Sequence, residues 1–286
     1  MLHMSPEDVV AEIEARAERS TTPSGDGVMV WRCWRAREGV TQRPLVLLHG
    51  GAGSWRHWIR NIDALGRDRD VWVPDLPGFG DSAKPADPVN FAAVAKVVAA
   101  GLETKLASET SFDLTGFSFG SHTSQYVANE MGSAVRTLVL VTAHMIGPMI
   151  ATPNSFLERW RDVVDKAQRD RIIKRNLGAL MLAHEESMDA LALLLYATDV
   201  VRARIRPLTF INERDFTMIE RLPCRVVGIA GSLDPLGKPT PAAQGEVLQS
   251  KRPDARFHLF DNVGHWVPYE AAERFNALLR DVLDSP

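Results

Sequence analysis

From Pro44 onward the chain alternates short, unbroken apolar runs with stretches of helical periodicity, and this alternation constrains its fold more than any other feature. The runs are 45–48 (LVLL), 71–74 (VWVP), 112–115 (FDLT), 137–142 (TLVLVT), 225–230 (RVVGIA) and 256–260 (RFHLF). A strand covered on both faces reads as a continuous apolar run, and strands separated by helices are joined by right-handed crossovers into a mostly parallel sheet. The expected class is therefore α/β, with helices on both faces of the sheet. Ligands of such sheets bind beyond the carboxyl ends of the strands, so the chemistry is expected just after each run.

At 286 residues and 45% hydrophobic content the chain can bury one sizeable core. Residues 1–27 are expected to form an N-terminal helix and linker. Within them, 5–19 opens Ser-Pro-Glu-Asp, with a capping hydroxyl, proline at the first helical position and acids in the first turn. Thr21 to Gly27 reads as turn-rich and Val28 to Trp34 as a strand. The core is assigned to 28–146 and 223–286. Between them, 147–222 is helical in pattern throughout, with helices expected from Phe156, Leu157 and Trp160, around Leu177, Leu180, Met181 and Leu182, and from Leu191 to Tyr196. An all-helical insertion at the carboxyl edge of a parallel sheet is expected to act as a lid.

A net charge of −3, from 33 basic and 36 acidic residues well mixed along the chain, leaves no electrostatic footprint for nucleic acid or an anionic membrane. Cys33 and Cys224 lie in strand-like segments without metal-ligand spacing and are expected to be buried free thiols. Acids at Glu7, Asp8, Glu12 and Glu14 stand where a secretory signal needs bases, and no window reaches the ~18 apolar residues of a membrane span. The expectation is a cytoplasmic protein with a small-molecule substrate and neither cofactor nor metal. A homodimer is compatible with the sequence.

The strongest local signal is 112–120, FDLTGFSFG, followed by the helix-like Ser121 to Met131. Gly-x-Ser-x-Gly between a strand and a helix makes a tight turn that exposes the serine Oγ at a helix N-terminus, which makes Ser118 the candidate nucleophile. A serine hydroxyl needs a base, and the base needs a carboxylate to hold its tautomer. His265 is the candidate base, on a loop just past the run 256–260. His3, His258, His122, His144 and His184 suit that role less well by their positions. Asp234, in the turn after 225–230, completes the order Ser, Asp, His. Asp261 is read as turn chemistry, and Asp75 and Asp81 as shaping the Pro77-Gly78-Phe79-Gly80 loop.

An oxyanion would need backbone donors, expected from Phe119, after the nucleophile, and Gly51, in His49-Gly50-Gly51-Ala52-Gly53. That glycine loop lacks the phosphate-binding patterns, which disfavours nucleotides, and His49 is expected to brace it. Trp55, His57, Phe117, His144, Phe156, Trp160 and Trp266 are candidate pocket walls.

HGG at 49–51, DLPGFGDS at 75–82, GFSFG at 116–120, GSLDP at 231–235 and GHW at 264–266 together resemble the α/β-hydrolase superfamily from about Pro44 to the C-terminus, leaving aside the helical insertion. The resemblance implies an eight-stranded sheet with a helical lid after strand 6 and a Ser-His-Asp triad. Serine rather than aspartate at 118 sets the chain apart from the haloalkane dehalogenase and epoxide hydrolase branches. Trp55 with Arg60-Asn61, and Gly264-His265-Trp266 with Glu270 and Phe275-Asn276, are similar to carbon–carbon bond hydrolases of aromatic meta-cleavage pathways. That branch has asparagine where this chain has His57 and Phe117. Its carboxylate-binding lid arginine aligns among Leu193 to Leu195, ahead of Arg202, Arg204 and Arg206. The expected reaction is hydrolysis of a partly apolar ester, lactone or amide. Carbon–carbon cleavage and a non-catalytic small-molecule receptor are the alternatives.

Overall fold

A computed structural model of the chain describes residues 4–37, 42–86, 89–143, 157–206 and 214–285. Its strands are β1 (Glu18–Ser24), β2 (Gly27–Trp34), β3 (Leu45–Leu48), β4 (Val71–Pro74), β5 (Phe112–Phe117), β6 (Val135–Val141), β7 (Arg225–Gly231) and β8 (Arg256–Phe260). They form one eight-stranded sheet in the order β1-β2-β4-β3-β5-β6-β7-β8. The β1–β2 and β2–β4 pairings are antiparallel, and every later pairing is parallel. The helices are α1 (Pro6–Ala15), α2 (Ile62–Leu65), α3 (Phe91–Lys105), α4 (Phe119–Met131), α5 (Lys166–Leu180), α6 (Ala190–Val200), α7 (Pro241–Lys251), α8 (Val267–Glu270) and α9 (Ala272–Asp284).

The continuous apolar runs follow from this layering. Successive side chains of a strand point to opposite faces. Leu45, Leu47, Val71, Val73, Val139, Val141, Val227 and Ile229 join α1, α2, α5, α6 and α9 in one core. Val46, Leu48, Trp72, Leu138, Leu140 and Val226 join α3, α4 and α7 in the other. Cys33 and Cys224 are buried free thiols, raised by burial to about 12 and about 11.

Two local expectations are corrected. The N-terminal helix starts at the expected cap, where Ser5 Oγ accepts from Asp8 N at 3.1 Å, but it stops at Ala15. Residues 18–24, read as the end of that helix and a linker, are instead the edge strand β1. The pairing of Glu18 through Ser24 with β2 overrides the turn-like composition, and Trp31 Nε1 donates to Thr22 Oγ1 at 2.8 Å. Pro23 is tolerated because an edge strand leaves alternate N–H groups unpaired.

The expected helix at Phe156, Leu157 and Trp160 is absent over its described part, since 157–160 is irregular and 161–162 a turn; Phe156 lies outside the described residues. Here the Asn176 side chain, from α5, accepts from Glu158 N and donates to Glu158 O, both at 2.9 Å. The second of these bonds takes the Glu158 carbonyl, which a helix starting here would use. The other two expected helices of the insertion are α5 and α6, which lie between β6 and β7 in sequence. No helix among the described residues is long and apolar enough to cross a membrane.

Candidate active site

Ser118 sits at the junction of β5 and α4 with φ +52°, a left-handed conformation costly for a residue with a side chain. Its neighbours make the turn possible. A Cβ on Gly116 would collide with the Gly120 carbonyl, and one on Gly120 with the carbonyl oxygens of Leu48 and His49. Ser118 N donates to Val141 O at 2.9 Å, which ties the turn to β6.

Three side chains from three strand ends converge here. His265, past β8, places Nε2 2.9 Å from Ser118 Oγ, while its Nδ1 stands 2.9 Å from Asp234 Oδ2, past β7. His265 and Asp234 are buried, and Ser118 is partly exposed. Asp234 is fixed in turn by Leu236 N, which donates to its Oδ1 at 2.9 Å. Asp261 instead accepts from Ser232 Oγ, in the turn after β7, at 3.3 Å.

Beside Ser118 the loop after β3 is held by two imidazoles. Leu76 N donates to His49 Nε2 at 2.8 Å, so the ring proton is on Nδ1, which lies 2.7 Å from Gly50 O and donates to it. Gly50 N donates to His57 Nδ1 at 3.1 Å. Burial lowers the pKa of both rings, that of His57 well below the ordinary histidine value, with His49 and His265 adding to the effect at His57. The loop therefore meets neutral rings. Gly51 is partly exposed and Phe119 is buried at the start of α4.

Asp75 anchors the loop after β4. It accepts from Trp55 N at 2.8 Å and Asp81 N at 2.9 Å, and pairs with buried Arg32 at 3.0 Å. Arg32 also meets Asp81 at 2.6 Å. Asp75 and Asp81 thus shape the loop, as their positions suggested.

Of the other candidate pocket residues, Phe117 and Trp266 gather at His57, and Trp55 and Trp160 pack elsewhere. Phe117 is buried, its ring 5.4 Å from that of His57 and 5.2 Å from that of His265. Trp266 is buried 4.9 Å from the His57 ring and donates from Nε1 to His57 O at 3.0 Å. Trp55 packs against Trp34 and under Arg32, and Trp160 against Tyr196 of α6. His144 and Phe156 lie outside the described residues, as does His3. Of the histidines set aside as bases, His122, in α4, faces Arg214 at 3.0 Å, His184 contacts Asn262 O at 2.9 Å, and His258 lies in β8. Among the described residues no group of three or more His, Cys, Asp or Glu side chains could hold a metal ion.

Two carboxylates have structural roles that the sequence does not announce. Glu270 accepts from Ala183 N and His184 N at 2.8 and 2.9 Å, and from Gly264 N at 2.6 Å, tying the loop of His265 to the end of the α5 segment. Asp199, buried in α6, accepts from Ser54 Oγ at 2.8 Å and Arg56 Nη1 at 3.0 Å. Burial raises its pKa to about 6 against the opposing pull of Arg56. An acid inside the apolar helix ALALLLYATDV was the available signal.

Sheet order, the turn at Ser118 and the convergence of His265 and Asp234 upon it define a hydrolase fold, and residues 45–278 match the family model described as the alpha/beta hydrolase family. The chain belongs to that family. It is 27% identical over 259 residues to a 2-hydroxy-6-oxononadienedioate/2-hydroxy-6-oxononatrienedioate hydrolase of Paraburkholderia phymatum, covering 86% of this chain and 88% of the relative. A 2-hydroxymuconate semialdehyde hydrolase of Pseudomonas sp. CF600 is 28% identical, over 84% of this chain and 86% of the relative. Among solved structures, an esterase from Rhodococcus sp. ECU1013 superposes with TM-score 0.75 at 22% identity, over 93% of this chain and 98% of that one. A meta-cleavage product hydrolase from Pseudomonas fluorescens IP01 superposes with TM-score 0.73 at 17% identity, over 92% and 96%.

Proposed function

We propose that the protein hydrolyses a carboxylic ester, lactone or amide of a small, partly apolar substrate through an acyl-enzyme on Ser118. The observation that carries this reading is the continuous relay Ser118 Oγ, His265 Nε2, His265 Nδ1, Asp234 Oδ2, with both links at 2.9 Å. In it, His265 takes the Ser118 proton as Oγ attacks the carbonyl, then returns it to the leaving group. Asp234 holds the tautomer that leaves Nε2 free to accept. The N–H groups of Gly51 and Phe119 receive the oxyanion, and the α4 N-terminus favours the same charge. A water activated by His265 then releases the acyl group. The insertion carrying α5 and α6 serves as a lid that excludes bulk water from these steps.

Residues around the relay favour an apolar substrate over a dianionic dienoate. Phe117 is fully packed, and His57 is neutral with Nδ1 committed to Gly50. Arg202 and Arg204, which follow α6, are engaged elsewhere. Arg202 pairs with Asp81 at 3.0 Å, and Arg204 donates to Gly80 O and Ser82 O, both at 2.9 Å.

Carbon–carbon cleavage stays as the second reading because relatives named as 2-hydroxy-6-oxononadienedioate and 2-hydroxymuconate semialdehyde hydrolases match over more than four-fifths of the chain. A comparison of turnover on an aryl ester and on a yellow ring-fission dienoate separates the two. Faster ester turnover is expected, and faster bleaching of the dienoate would replace the ester reading. A fluorophosphonate probe tests the shared nucleophile: folded protein should be labelled at Ser118, and an unlabelled protein would favour a receptor.

A further inference from the structure

Gly50 has no side chain to restrict it, yet both of its peptide groups are held. Its N–H donates to His57 Nδ1, and its C=O accepts from His49 Nδ1 and, at 3.3 Å, from Gly53 N across the turn. The Gly50 carbonyl and the Gly51 N–H share one planar trans peptide and point in opposite directions. Fixing the carbonyl therefore fixes the direction of the Gly51 N–H, and fixing the Gly50 N–H closes the remaining rotation on the other side of its Cα.

The His57 ring is itself immobilised. Phe117, immediately before Ser118, and Trp266, immediately after His265, pack on it at 5.4 and 4.9 Å between ring centres, and its backbone carbonyl is bonded to the Trp266 indole. Glycine at 53 leaves it room, because a Cβ there would overlap the imidazole. One side chain thus touches the residues next to the nucleophile and the base as well as the loop between them.

We propose that His57 is a positioning residue, whose Nδ1 accepts from Gly50 N–H and, together with His49 on the adjoining peptide, locks the turn that aims the Gly51 N–H at the oxyanion. This rests on the reading of Gly51 as an oxyanion donor. A neutral acceptor suits the role, since a protonated imidazole would present a donor to the Gly50 N–H and break the bond.

The test compares His57→Leu and His57→Asn with the wild type on an aryl ester. Deleting a whole oxyanion donor costs about 100- to 1,000-fold in kcat, so loosening one should cost roughly 10- to 100-fold, with KM changed by less than about threefold. Asparagine carries an acceptor oxygen at the same distance along the side chain as Nδ1, so His57→Asn should recover to within about fivefold of the wild type. Nitrogen NMR of the wild type should show His57 unprotonated at Nδ1 and protonated at Nε2. Wild-type kcat in folded His57→Leu, an equal loss in both variants, or a proton on Nδ1 would each overturn the proposal. Ser118→Ala assayed alongside separates the failures: if it is inactive while His57→Leu is unimpaired, the brace falls and the serine mechanism stands. Should His57→Leu not fold, the His57→Asn kinetics and the wild-type tautomer decide.

Discussion

Asp199 Oδ2 accepts a hydrogen bond from Ser54 Oγ at 2.8 Å, which joins helix α6 of the insertion to the loop that leads from the glycine turn into Trp55. The carboxylate is fully buried, and its pKa is raised to about 6 mainly by loss of solvent. An acid whose pKa is higher folded than unfolded contributes its full stabilisation below the unfolded value, near 4, and loses it as pH rises through the folded value.

Asp199→Asn removes that titration while keeping one acceptor for Arg56 and one donor for Ser54. The stability of the variant relative to wild type should therefore climb between about pH 4 and pH 6 and level off above. Urea unfolding across that range measures it. A difference that stays flat with pH would show that Asp199 does not titrate in this joint.

Arg32 is buried and paired with Asp81 and with Asp75, the carboxylate that accepts from Trp55 N. Arg32→Met keeps much of the side-chain volume but strands Asp75 without its cation, and breaking a buried pair from one side costs about 3–5 kcal/mol. The loss should appear in urea unfolding at neutral pH. A loss below about 1 kcal/mol would mean that the N–H groups of Trp55 and Asp81 suffice to hold Asp75.

Gly120 lies against the backbone of the strand that carries the glycine loop, where an added Cβ would overlap two carbonyl oxygens rather than a movable side chain. Gly120→Ala should therefore destabilise the fold by about 1–3 kcal/mol or more and depress ester turnover further, because the clash falls between Ser118 and His49. Gly132→Ala is the control for glycine in general. Although Gly132 has φ +56°, a methyl group added there would meet nothing within 4 Å, so the substitution brings only backbone strain. Equal destabilisation in the two variants would show that contact with β3 is not what demands glycine at 120.

The parallel sheet was legible because burial on both faces writes itself as unbroken apolar runs. Ser118, His265 and Asp234 were legible because each follows such a run in a short loop, so their convergence depends on topology alone. Strand β1 was hidden for the opposite reason: an edge strand with Thr21, Thr22 and Pro23 has the composition of a turn, and its register comes from β2 rather than from its own pattern. The irregular segment at Leu157 to Trp160 shows a helical spacing that Asn176 outcompetes from another element. The bonds from Gly50 N to His57 and from Ser54 to Asp199 are not legible, because hydrophobic spacing does not encode contacts with particular loop residues.

The proposed hydrolysis requires Ser118 as the nucleophile driven by His265 and Asp234. Steady-state hydrolysis of an aryl ester by wild-type protein and by folded Ser118→Ala tests it most directly. A loss of roughly 10⁴- to 10⁶-fold in kcat is expected for the variant, the scale seen when a triad serine is removed. Turnover by Ser118→Ala within tenfold of wild type would contradict it.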